Sequence, residues 1–152
     1  MVIDKIKASG LVFFVLKDEN GNIKQQQESN LIVTTGLAFI AQSMLKTTVN
    51  TPATMTHMAV GTGTVAANTT NTALGTESTR VALTSSTNVT TTVTNDSVQY
   101  VATFSPGTTA ALTEAGVFNA ASAGTMLCRT VFPVINKGAL DTLTITWKVT
   151  LA

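Results

Sequence analysis

The sharpest pattern in the chain lies near its C-terminal end, where Leu143, Ile145, Trp147, Val149 and Leu151 alternate with Thr142, Thr144, Thr146, Lys148 and Thr150. A period of two puts one set on a core face and the other on a polar face of a β-strand. Val98, Tyr100, Ala102 and Phe104 repeat it, and Val89, Thr91 and Val93 precede them across Asn95-Asp96, which predicts a hairpin. Residues 112–119 and 126–132 flank Ala120-Ala121-Ser122-Ala123-Gly124 and predict a second hairpin with a longer turn. Shorter strands are expected at 55–60 and 80–83.

In the N-terminal third, Leu11-Val12-Phe13-Phe14-Val15-Leu16 leads through Asn20-Gly21 into Ile23-Lys24-Gln25-Gln26-Gln27-Glu28. Asn-Gly between two such runs is the strongest short-range signal for a type I′ hairpin. The first arm is apolar on both faces, so it is expected to be covered by the core on one side and by something else on the other. Thr34-Thr35-Gly36 then precedes Leu37, Phe39, Ile40, Met44 and Leu45 at helical spacing. That predicts a helix over 35–46 with a threonine as its cap. Residues 61–79, rich in Gly, Thr, Asn and Ala, read as a long loop of the kind that usually has a job. No repeat of a solenoid or propeller is present. The expected fold is mainly β, an antiparallel β-sandwich of jelly-roll or Ig-like type with one short helix in the N-terminal half. It forms a single domain over 1–152, with 1–30 as an N-terminal hairpin and candidate interface arm.

Composition sharpens this picture. A length of 152 residues suits one domain. Only 11% of residues are charged, against about 25% in a typical soluble domain. Thirty threonines take the place of the usual charged coat, and this β-branched residue favours strands. A net charge of +1 gives little electrostatic protection against self-association, so much of the surface is expected to contact neighbours. The same charge, without basic clusters, argues against nucleic-acid binding. The start Met1-Val2-Ile3-Asp4-Lys5-Ile6-Lys7 lacks the apolar region of a signal peptide, and the run 11–16 is too short to cross a bilayer. A soluble protein made in a cytoplasm is expected, with no membrane partner. The single cysteine, Cys128, has no partner within the chain for a disulfide.

Candidate chemistry is sparse. His57, the one histidine, and Cys128 could form a base and nucleophile pair, but Cys128 alternates with Met126 and Thr130 as a core residue does. One His and one Cys are too few ligands for zinc. The carboxylates Asp4, Asp18, Glu19, Glu28, Glu77, Asp96, Glu114 and Asp141 are scattered, and spacing alone places no two across a cleft. Glu77 or Glu114 could meet Arg80 or Arg129. If Ala120 pairs with Thr125, Glu114 lies diagonal to Arg129 on one sheet face, as a structural ion pair. Gly61-Thr62-Gly63-Thr64 lacks the third glycine of a dinucleotide fingerprint and the lysine of a P-loop, and reads as a tight turn. No cofactor or metal is expected.

Several blocks carry a resemblance. Thr56-His57-Met58-Ala59-Val60-Gly61-Thr62-Gly63-Thr64, with Asn71-Thr72-Ala73-Leu74-Gly75-Thr76-Glu77 and Arg80-Val81-Ala82-Leu83, resembles a pattern in tailed-bacteriophage virion proteins. Leu112-Thr113-Glu114-Ala115-Gly116-Val117-Phe118-Asn119, Gly124-Thr125-Met126-Leu127, Arg129-Thr130-Val131-Phe132 and Leu143-Thr144-Ile145-Thr146-Trp147 are similar to the same group. Its members are labelled capsid decoration (cement), tail fibre or structural proteins. The resemblance covers about residues 30–152 and implies a small non-enzymatic β domain that binds other virion proteins, with no catalytic residues to carry over. No fibre shaft or heptad coiled coil is present in the sequence, which favours a decoration protein on the phage head over a tail fibre, baseplate or neck component. The expected partners are the major capsid protein and neighbouring copies of the chain, as a homotrimer, and the expected location is the virion. A carbohydrate-binding surface would need exposed aromatics, and these total 5%, with Trp147 and Tyr100 on core faces. The candidate contact residues are Leu11, Phe13, Phe14 and Val15 on the arm and Gly61, Thr62, Gly63 and Leu74 on the loop. The competing reading makes the arm ordinary core and the loop solvated.

Overall fold

The computed structural model describes residues 5–45, 51–107 and 109–152. Asp4 and the final residue of the expected helix, Lys46, lie outside them. The elements are β1 (Ala8–Lys17), β2 (Ile23–Ser29), β3 (Leu31–Ile32), α1 (Thr34–Ser43), β4 (His57–Gly61), β5 (Glu77–Ala82), β6 (Ser85–Val89), β7 (Ser97–Phe104), β8 (Ala110–Phe118), β9 (Met126–Lys137) and β10 (Thr142–Leu151). They form two five-stranded antiparallel sheets, β2-β1-β10-β7-β6 and β3-β9-β8-β4-β5. The chain is a mainly β protein with a sandwich architecture, as its alternating runs require.

Period-two alternation builds the core between the sheets. From the first sheet come Val12, Phe14 and Leu16, then Tyr100, Ala102 and Phe104, then Leu143, Ile145, Trp147 and Val149. Met58, Val60, Ala115, Val117, Cys128 and Phe132 answer from the second. Phe14 and Phe132 join the layers, with ring centroids 4.3 Å apart. Trp147 sits opposite Val12 and Tyr100 and is fully buried.

Several local expectations need correction. Phe14 is 1% exposed and belongs to the core, so it is no contact residue. Leu11, Phe13 and Val15 occupy the outer face, between Gln25, Gln27 and Ser29 of β2 and Thr144, Thr146 and Lys148 of β10. Phe13 is 37% exposed there. The first hairpin turns one step earlier than Asn-Gly implies. Gly21 N–H donates to Asp18 O, Gly21 takes φ +85°, and the Asp18 carboxylate accepts from Asn20 and Asn22 N–H. This is a turn closed by a left-handed glycine, a three-residue loop instead of type I′.

The expected strand at 89–93 is mostly loop. The Asp96 carboxylate accepts from the N–H groups of Thr91, Thr92 and Val93, which curls the chain and leaves β6 upstream to pair with β7. Those hydrogen bonds, Val93 N–H first, hold Asp96 well below the usual carboxylate range. The helix ends at Ser43, and no threonine caps it. Its N-cap is Val33, and Thr35 Oγ1 donates instead to Met126 O of β9 at 2.9 Å. Gly36 is the close-approach residue, since a Cβ there would lie 2.0 Å from Leu127 O. β4 begins at His57, two residues later than expected, and β5 spans Glu77–Ala82.

Neighbouring phenylalanines provide the check on this assignment. Phe14→Ala is expected to cost about 3–5 kcal/mol through lost burial and a cavity between the sheets. Phe13→Ser should stay within about 0.5–1 kcal/mol. Denaturant unfolding of the two variants measures both.

Candidate functional site

The outer face of the second sheet is built by register. Glu114 of β8 pairs with Gly61 of β4 and Val131 of β9, while Gly116 pairs with Arg129. Glu114 and Arg129 are therefore diagonal neighbours on one face, and their closest contact is 2.8 Å. Their side chains are 0% and 2% exposed. The loop from Gly61 to Thr76 folds over both.

Every polar atom of the pair is used. Glu114 Oε1 accepts from Gly63 N–H at 2.9 Å and Thr76 N–H at 2.7 Å, and Oε2 accepts from Gly75 N–H at 2.9 Å. Arg129 donates to Oε2 from Nε at 3.1 Å and Nη2 at 2.8 Å. Its remaining donors reach Val65 O at 2.9 Å, Asn71 Oδ1 at 2.9 Å and Ala66 O at 3.4 Å. The five N–H donors of a guanidinium are thus satisfied. The loop is held at its start, middle and end by one ion pair, and Thr113 Oγ1 adds a bond to Gly63 O.

The glycines follow from this geometry. A Cβ on Gly61 would lie 2.2 Å from Thr76 O, and one on Gly63 2.3 Å from Glu114 Oε1. The Gly-Thr-Gly turn cradles a carboxylate of its own chain. Leu74 drops beneath the loop into a small apolar cluster with Val33, Ala59, Phe118 and Met126. Of the loop residues singled out from sequence, Gly61, Gly63 and Leu74 are buried, and Thr62 alone is exposed. The exposed surface includes Thr62, Thr64, Val65, Asn68, Thr70 and Thr72. No residue from 61 to 76 is charged.

The second arginine does related work. Arg80 Nε and Nη2 donate to the Glu77 carboxylate, and its Nη1 donates to Ala120 O and Ala123 O of the β8–β9 turn. Its guanidinium lies 3.7 Å from the centre of the Phe118 ring. Both carboxylate–arginine pairs left open by the sequence are formed, each with its own arginine. The stacking of Arg80 carried no sequence signal, because residues 80 and 118 meet only through sheet order.

Elsewhere the side chains are dispersed. His57 stands in the outer-face row with Ala59 and Phe118, bonded to Thr56 Oγ1, whereas Cys128 lies in the core on the other face of the sheet. Burial pushes the Cys128 thiol up. Among the described residues no group of three or more His, Cys, Asp or Glu converges on a metal-sized site. No described helix is long and apolar enough to cross a membrane.

Burial raises the Glu114 pKa, but the N–H groups of Thr76 and Gly75, the Arg129 guanidinium and Gly63 N–H outweigh it and hold the carboxyl below its ordinary value. A depressed folded pKa means the stabilisation is complete above the unfolded value of about 4.3 and is lost as pH falls through the folded one. Acid should therefore loosen the loop. Glu114→Gln, which leaves Arg129 buried without its counter-charge, is expected to cost about 3–5 kcal/mol at neutral pH and to flatten the acid limb of stability. Denaturant unfolding against pH reads both effects, and amide exchange at Gly63, Gly75 and Thr76 should accelerate.

Comparison with protein-family models, with curated proteins and with solved structures finds no match to this chain.

Proposed function

We propose that this chain is a non-enzymatic structural protein of a tailed-phage virion, a decoration protein that binds the outside of the assembled head. Its partners are the major capsid protein and neighbouring copies of itself. The observation that carries the reading is the pinned loop. A fully hydrogen-bonded ion pair, buried beneath sixteen uncharged residues from 61 to 76, serves to hold an exposed surface in one shape. Ordering a loop before association removes an entropic cost from binding. A surface of hydroxyl, amide and methyl groups suits contact with another protein without reliance on charge. The resemblance of blocks 56–64, 71–77, 80–83, 112–119, 124–127 and 129–132 to tailed-phage virion proteins supports the same reading, since these blocks include both ends of the loop and both members of its ion pair.

The alternative location is the tail, as a fibre, baseplate or neck component. Low charge and a preformed contact surface suit either place, and copy number separates them. Shells multiply a modest contact over hundreds of positions, so weak interfaces add up against internal pressure.

Quantitative mass spectrometry of purified virions should give about one copy, or about one third, per major capsid protein. A ratio below about one in twenty moves the protein to the neck or tail, and absence from the particle removes the virion reading. In reconstitution on undecorated heads, Val65→Asp should weaken attachment at least about tenfold while leaving the unfolding midpoint unchanged. Binding by the unsubstituted protein should vary little with salt, as expected for a contact that carries no charge on this loop.

A further inference from the structure

Sheet edges are sites of unwanted pairing that proteins normally block with charge, proline, bulges or brevity. Three of the four edges here are blocked. β2 carries Lys24 and Glu28, β3 has two residues, and β5 carries Glu77 and Arg80 beside a register shift at Val60/Gly61. β6 is different. Its sequence, Ser85-Ser86-Thr87-Asn88-Val89, holds no charge and no proline, and it pairs with β7 without a register shift. Ser85 to Asn88 are exposed, and the strand is held at both ends, by Thr84 N–H to Val101 O and by the Asp96-centred loop.

We infer that β6 is a self-pairing edge, which joins a second copy of this chain in antiparallel register about a two-fold axis at Thr87. The sequence is self-complementary in that register. Thr87 meets the partner's Thr87, Ser86 meets Asn88 and Ser85 meets Val89, so no like charges face one another. An isologous contact of this kind closes as a dimer.

Five paired residues fall short of the roughly 800 Å² per partner typical of a stable contact. The adjoining surface supplies more. Asn88 also lines a cleft of about 370 Å³ whose other walls include Phe39, Ile40, Met44, Val98 and Tyr100. α1 has no charged residue, and Leu37 and Met44 are 52% and 78% exposed. A helix apolar on its outer side is expected to be covered. A strand laid along β6 lies at the rim of this cleft and brings the partner over its apolar wall.

Sedimentation velocity of the full chain over a dilution series tests the pairing. The expected result is a reversible dimer, with Thr87→Lys raising its dissociation constant at least about tenfold. Thr87 is exposed, so the unfolding midpoint of that variant should not move. Thr87→Cys should cross-link to a dimer under mild oxidation, because directly opposed residues stand about 4.5–5.5 Å apart between Cα atoms, within disulfide reach. Ser85→Cys, displaced from the axis, should not, and the native Cys128 is buried and out of reach. A monomer at all concentrations, a ring of three or more, an unweakened Thr87→Lys dimer, or equal cross-linking through Ser85→Cys would overturn the inference. So would a monomer whose Thr87→Lys variant fails to join virions, which would assign the edge to a strand of another protein.

Discussion

The buried pair of Glu114 and Arg129 is the constraint from which the surface of this protein follows. Removing two charges from water is expensive, and an ion pair repays that cost only when its geometry is good and its remaining donors and acceptors are filled. Here the filling is done by backbone. Gly63, Gly75 and Thr76 supply N–H groups, and Val65 and Ala66 supply carbonyls. The loop and the pair are thus mutually required. Without the loop, both charges face an unmet desolvation cost. Without the pair, sixteen residues with one substantial apolar anchor, Leu74, have little to order them.

That dependence explains the distribution of glycine. Positions 61 and 63 lie where the main chain passes within a Cβ's reach of Thr76 O or the Glu114 carboxylate. A larger residue would push the loop off the face. Gly116, beneath Leu74, keeps the sheet flat enough for the loop to lie down, since a Cβ there would meet the leucine at 3.1 Å. The two outer faces consequently differ. The second sheet is covered by its own chain, with Arg80 stacked on Phe118 extending the cover to the β8–β9 turn. The first sheet presents Thr144, Thr146, Gln25 and Gln27 around Leu11, Phe13 and Val15, and ends at the uncharged β6 edge.

Threonine makes this economy of charge workable. Its methyl packs on a pleated sheet and its hydroxyl hydrates or caps, so a strand face can remain wettable without lysine or glutamate. Thr91, Ser97 and Thr150 show the hydroxyls bonding to one another beneath the Asp96 loop. Such a surface lacks the repulsion that keeps ordinary domains apart. A protein built this way is suited to close contact with neighbours.

The longer strands, the hairpins spanning 11–28 and 112–132, the single helix and the sandwich were legible in local sequence, because a period of two or 3.6 is written within ten consecutive residues, whereas the short strands β3 and β6 were not. Even the diagonal placement of Glu114 and Arg129 followed from the register implied by the Ala120–Thr125 pairing. That register holds from Glu114 to Val117 and slips at Phe118. Other features were not legible. Two adjacent phenylalanines look alike in a run that is apolar at every position, and only pairing with Ile145 and packing on Phe132 sends Phe14 inward and Phe13 outward. The curl at 90–96 depended on a carboxylate closing back on three amides, which hydrophobic periodicity does not encode. The chain alone therefore determined the longer elements and the pairing of the two hairpins at 11–28 and 112–132. Which face of each sheet is covered, and by what, was decided by tertiary structure, because the loop's bonds to Glu114 and Arg129 join residues 38 to 64 positions apart.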